Sequence, residues 1–150
     1  MGRILETVER FLKKDDWPYN LLDDRPIYKT GFEGKNGQFT CYAQERAEQD
    51  QFVFYSVFPV RAPEERRSEV AEFITRANYG MIIGNFELDY ADGEIRYKTS
   101  VDVEGSELTP ELIKPVAFAN LGTLDHYWPA LAAVAAGQAA PQEALALVGA

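Results

Sequence analysis

An α+β fold, in which helices segregate from one antiparallel sheet of about five strands, is predicted by three features of this 150-residue sequence. Apolar residues recur at helical spacing near the N-terminus, after Pro63 and through the last third. Between these segments lie short alternating or continuous apolar runs punctuated by Asn-Gly and Asp-Gly pairs. No linker or internal repeat divides the chain, and 46% hydrophobic with 26% charged residues suits a single globular domain over 1–150. The predicted order is α-β-β-β-α-β-β-α.

The first helix follows from Ile4, Leu5, Val8, Phe11 and Leu12, with Glu6/Arg10 and Glu9/Lys13 as i,i+4 pairs on the other face. It should end near Asp15-Asp16, ahead of Trp17-Pro18. Three strands around 27–33, 38–45 and 51–58 then form a meander, with the first turn at Asn36-Gly37, residue types that accept the positive φ of tight hairpins. Pro63 opens a second helix with Glu64 and Glu65 in its first turn, and Val70, Phe73, Ile74 and Ala77 form its buried stripe before a stop at Gly80.

The segment "NFELDYADGEIRYKTS" (85–100) reads as a hairpin turning at Asp92-Gly93. A two-residue turn sets Tyr90, Leu88 and Phe86 against Ile95, Tyr97 and Thr99 on one face. On the other face Asp89 then meets Arg96 and Glu87 meets Lys98, an exposed pattern of ion pairs rather than a catalytic carboxylate pair or a calcium loop. In the last third, Thr109-Pro110-Glu111 caps a long helix whose apolar positions include Ala117, Leu121, Leu124, Trp128, Leu131 and Ala135, broadened by Val116, Tyr127 and Val134. Pro115 should break or kink its opening turns and Pro129 should bend it. Gly137 ends it, and Pro141 starts a short final helix.

One strand departs from a sheet with a single wet face. "QFVFYSVF" (51–58) puts Phe52, Phe54 and Phe58 on one side and Val53, Tyr55 and Val57 on the other. Both sides call for cover, by a helix, a second copy of the chain or a ligand. Phe52, Val53, Tyr55 and Val57, with Tyr127 and Trp128 on the long helix, are therefore the candidate protein-binding or dimer residues.

Charge and chemistry narrow the function. A formal net charge of −9 disfavours nucleic acid and anionic membranes as partners. No apolar run approaches the roughly 20 residues that span a bilayer, and the N-terminus has no signal-peptide core, so a cytoplasmic location is expected. The single cysteine, Cys41, rules out an intrachain disulfide and cysteine metal clusters, and the single histidine, His126, rules out multi-histidine sites. No nucleophile elbow or phosphate-binding glycine loop is present, so no catalytic residues, metal or cofactor are expected.

The stretch "RRSEVAEFITRANYGMIIGNFELDYADGEIRYKTSVDVEGSELTPELI", continuing into "ANLGTLDHYWPAL", resembles the YbjN family, described as regulators of bacterial sensory transduction with a type III secretion chaperone-like fold. The likeness is strongest over Arg66 to Leu131, and the GNFELDY and DGEIRYK blocks are its most specific parts. The resemblance implies the α-β-β-β-α-β-β-α order, no enzymatic activity, and a small acidic homodimer that holds a partner protein or peptide segment. The competing expectation is a small-ligand sensor or minor enzyme with a pocket between the long helix and the sheet, near Tyr97, Trp128 and His126.

Overall fold

The computed structural model describes residues 2–149. Its elements are α1 (Arg3–Lys14), β1 (Tyr19–Leu21), β2 (Ile27–Glu33), β3 (Gln38–Arg46), β4 (Gln51–Val57), α2 (Arg67–Asn78), β5 (Asn85–Leu88), β6 (Ile95–Asp102), α3 (Pro110–Ala135) and α4 (Pro141–Leu147). The strands form one antiparallel sheet in the order β1-β2-β3-β4-β6-β5. This is the predicted α+β architecture with one strand more than expected. That strand, β1, is too short to show a period in the sequence. It exists because the open edge of β2 supplies its hydrogen bonds, with Tyr19 opposite Thr30 and Leu21 opposite Tyr28.

Alternation along the strands puts Phe39, Cys41, Ala43, Phe52, Phe54, Ile95 and Tyr97 on one face, all buried. Helices α1 and α3 cover this face over β3, β4 and β6, while α2 packs on β5 and on the helices beside it. Ile4, Leu5, Val8, Phe11 and Leu12 of α1 point into the layer at no more than 3% exposure, as their spacing predicts. The start of α1 has no capping side chain of its own. Instead Glu45, buried at 4% exposure on β3, accepts from the Leu5 N–H (3.3 Å) and sets a carboxylate at the positive end of the helix.

The β2–β3 turn is longer than the sequence suggests. Glu33 pairs with Gln38, Gly34 N donates to Gly37 O (2.8 Å), and neither Asn36 nor Gly37 has a positive φ. The reason for this turn lies on α3. Both oxygens of Asp125 accept from the backbone, from Lys35 N at 3.0 Å and Asn36 N at 2.9 Å, while Asn36 Nδ2 donates to the Asp125 carbonyl (2.8 Å). A Cβ on Gly37 would collide with the Trp128 ring, so glycine is required here for close approach rather than for an unusual dihedral.

The β5–β6 hairpin also differs from expectation. Leu88 faces Ile95 rather than Tyr97, and Glu87 faces Arg96. The turn occupies 90–93, closed by Asp89 N to Glu94 O (2.9 Å) and Gly93 N to Asp89 O (2.7 Å). Asp89 and Asp92 each accept from the N–H two residues on, Ala91 and Glu94 respectively, which stabilises the wider loop. The segment before α2 holds it too: Ala62 N donates to Gly93 O (2.8 Å), Arg67 Nη1 donates to Tyr90 O (3.0 Å), and Arg61 pairs with Asp92 at 3.2 Å. Because the slip is even, Phe86 and Leu88 keep their inward face, but Tyr90 and Asp89 leave the ladder and the expected Asp89/Arg96 pair does not form.

Helix α2 begins after a 3-10 turn at Glu64–Arg66, so Pro63 starts that turn rather than the helix itself. Its buried residues are the predicted Val70, Phe73, Ile74 and Ala77. Helix α3 runs through both Pro115 and Pro129, and Thr109 caps it by accepting from Leu112 N (3.2 Å). The expected break at Pro115 is absent; a proline this near the start deletes only one early bond of a long helix held down by packing.

Candidate protein-binding face

Among the described residues every helix lies on one side, and the other side of the sheet is without a second layer. Reading across the strands, one row is Lys29, Tyr42, Tyr55 and Lys98, ending at Asn85 on β5. On one flank runs Gly31, Thr40, Val57, Arg96 and Glu87, and on the other Ile27, Gln44, Val53 and Ser100. Apolar and aromatic residues thus sit at the middle of the face, and charges stand towards its edges.

Long side chains provide partial cover. The Arg96 guanidinium lies over the Tyr55 ring at 4.1 Å, and its Nε reaches Glu87 Oε1 at 2.7 Å, while Lys98 Nζ holds Glu87 Oε2 at 2.9 Å. Tyr42, Tyr55 and Val57 stay half-buried, and Val53 is covered to 6% exposure. Gly31 contributes no side chain, and a hollow of about 720 Å³ lies there between Thr40, Tyr42, Val57 and Arg61. A second hollow of about 310 Å³, lined by Arg25, Ile27, Tyr55 and Arg96, shares Tyr42, Val57 and Glu94 with the first.

Desolvation in the sheet pushes the Glu87 carboxyl up, but the hydrogen bonds and charges of Lys98 and Arg96 together outweigh it and hold the group below its ordinary value. A depressed folded pKa gives stability that is present above the unfolded value, about 4.3, and lost as the pH falls through the folded one. Glu87→Gln is therefore expected to show a smaller loss of melting temperature than the wild type on acidification below about pH 4.3. Parallel acid melts of the two proteins measure this.

The structure divides the six residues named from the sequence. Val53, Tyr55 and Val57 share the open face. Phe52 is on the opposite side at 0% exposure and belongs to the core, because alternation in β4 turns it towards the helices. Tyr127 packs edge-on against Phe73 and Phe86, and Trp128 against Phe58 at 4.8 Å, so both are partly buried in the helix layer. Tyr42, Arg96 and the two lysines were not picked out. The signal for Tyr42 was available: Phe39, Cys41 and Ala43 alternate with it, and that places it outward beside Tyr55.

The space between α3 and the sheet, where a ligand pocket was the competing expectation, is filled with rings. Tyr97 is 1% exposed, packed on Phe86 at 4.8 Å, and donates from its hydroxyl to Ile83 O at 2.6 Å. Burial raises its pKa. His126 points outward, and the carboxylate of its neighbour Asp125 is spent on the β2–β3 turn. Cys41 is fully buried beside Ser56, and burial pushes its thiol up to about 12 against the opposing Ser56 hydrogen bond. Native protein is expected to resist thiol-directed disulfide reagents at pH 8 and to react within minutes in denaturant. Among the described residues no group of three or more His, Cys, Asp or Glu is placed to hold a metal ion, and no helix is long and apolar enough to cross a membrane.

A second apolar surface lies at the β5 edge. Tyr79 and Ile82 in the α2–β5 loop are 92% and 90% exposed. The edge itself is guarded: Asn78 Oδ1 accepts from Phe86 N (2.7 Å) and its Nδ2 donates to Phe86 O (3.1 Å), occupying the groups a further strand would need there.

A six-stranded antiparallel sheet with helices on one face places the chain among the type III secretion chaperone-like folds. The ExsC-ExsE complex superposes with a TM-score of 0.59 at 16% identity, over 83% of this chain and 90% of that one. The HopA1-SchA chaperone-effector complex gives 0.50 at 13% identity, over 82% and 90%. YbjN from E. coli gives 0.58 at 12% identity, over 81% and 92%. The chain belongs to the YbjN family, "Putative bacterial sensory transduction regulator", which matches residues 5–131. No curated protein matches the chain.

Proposed function

We propose that this protein is a non-enzymatic regulator that acts by binding another protein on the open face of its sheet. The observation that carries this reading is the cluster of Tyr42, Tyr55, Val53 and Val57 at the centre of a face that no helix covers. The structures it resembles include a chaperone with its effector, which supports the same use of the fold here, by analogy. A homodimer is part of the proposal, and the exposed Tyr79 and Ile82 offer it an apolar surface separate from the sheet. The setting is a cytoplasmic regulatory or stress pathway.

Tyr55→Asp places a charge in the middle of the face and is expected to abolish capture of a partner that the wild-type protein retains, with the circular dichroism unchanged. Equal capture by both proteins removes the sheet as the binding surface. Light scattering is expected to give twice the chain mass for the wild type and the chain mass for Ile82→Asp. A wild-type mass of one chain removes the homodimer and leaves the binding proposal standing.

A further inference from the structure

We infer that the occupant of the open face is an extended partner segment carrying two carboxylates about four residues apart with apolar side chains between them, its acids held by Lys29 and Lys98. The inference rests on the protein-binding reading and names the chemistry of the partner. In the row Lys29–Tyr42–Tyr55–Lys98, two aromatic residues separate two ammonium groups across adjacent strands. Strands lie about 4.8 Å apart, so the lysine backbones are on the order of 14 Å apart, a distance that an extended chain covers in about four residues.

Charge favours an acidic occupant. The whole chain carries a formal −9, yet on this face Arg96 and Lys98 share the one carboxylate of Glu87, so one positive charge of the three groups is left over. Among the described residues, Lys29, Arg25 and Arg46 have no ion pair or side-chain hydrogen bond. The carboxylates of the face are mostly engaged. Glu87 holds both Arg96 and Lys98, while Glu33 and Asp102, bonded to the neutral amides of Gln38 (2.7 Å) and Gln51 (3.0 Å), keep their charge but stand off the lysine row. Glu94, which lines both hollows, has no ion pair among the described residues and repels an acid laid near Val57. It directs the segment along the lysine row rather than along the row of Val57 and Arg96. A second copy of this chain is the poorer occupant, because a two-fold contact centred on the tyrosines would set lysine against lysine.

The test is fluorescence anisotropy with full-length protein and a labelled peptide holding two aspartates with three apolar residues between them, beside a counterpart with asparagines in their place. The aspartate peptide is expected to bind, to weaken in high salt, and to lose about fivefold in affinity on Lys29→Glu or on the change to asparagine. Lys114→Glu, the same charge change on α3, is expected to leave binding unchanged. Lys29 is exposed and has no ion pair among the described residues, so its variant keeps the fold. Equal binding of the two peptides, or no binding of either, overturns the inference. If partner capture still depends on Tyr55 in that case, the protein-binding proposal survives and only the acidic partner is lost. A dimer that Tyr55→Asp dissociates also overturns it, since the face is then taken by a second copy.

Discussion

Asn120→Asp is expected to cost more than about 3 kcal/mol, a large part of the roughly 5–15 kcal/mol that holds a domain of this size together. Asn120 sits on α3 at 0% exposure. Its Nδ2 donates to the Phe54 carbonyl of β4 (2.9 Å), the Tyr97 carbonyl of β6 (3.1 Å) and Thr99 Oγ1 (3.1 Å). Thr99 in turn donates to the Val116 carbonyl (2.9 Å), so two polar side chains tie the long helix to the central strands. A carboxylate at this site faces three acceptors with nothing to donate, in a place where water cannot compensate.

The pH dependence has a definite sign. Burial raises the introduced carboxyl above its unfolded value of about 3.9, so the stability lost at neutral pH returns as the pH falls through the folded pKa. The gap between wild type and variant in urea midpoint should therefore narrow in mild acid. Asn120→Leu keeps the volume and removes the donor. Its expected cost is about 1–3 kcal/mol, from the hydrogen bonds of Nδ2 that it removes. A leucine variant with the wild-type midpoint would show that packing alone holds α3 on the sheet.

Gly93→Ala is the second change with a large expected effect, about 3 kcal/mol in urea unfolding. Gly93 has φ +81, in the left-handed region, and a Cβ there would collide with the Ala62 carbonyl. Backbone has no rotamer with which to retreat. The variant must give up either the turn geometry or the Ala62 N to Gly93 O bond that fixes the hairpin to the segment before α2. Ala91→Gly, in the same loop, touches neither and is expected to shift the midpoint little. A Gly93→Ala midpoint no lower than that of the wild type would remove the collision as a cost, since the chain-entropy effect of Gly→Ala alone is stabilising.

Elements with a strong period were legible. The stripes of α1 and α2, the alternation of β2, β3 and β4 and the cap at Thr109 all follow from neighbours a few residues apart. Asn120 was hidden, because a single polar residue within the stripe from Ala117 to Leu124 gives no sign of whether it bonds or merely interrupts. The open face of the sheet was half visible. Alternation separates Tyr55 from Phe54, but choosing Phe52, Tyr127 and Trp128 as surface residues required knowing which side the helices occupy.

The residues alone determined the fold class, the periods of its elements and the want of a recognisable catalytic motif, since these depend on local spacing and on residue types present or missing. Tertiary contacts decided the two turns: Asp125 and Trp128 lie far along the chain from Asn36 and Gly37, and Ala62 and Arg67 fix the loop at 90–93 from outside the hairpin. They also decided that the row from Lys29 to Lys98 exists at all. It assembles four residues from four strands, and only the order and register of the sheet bring their side chains to one face.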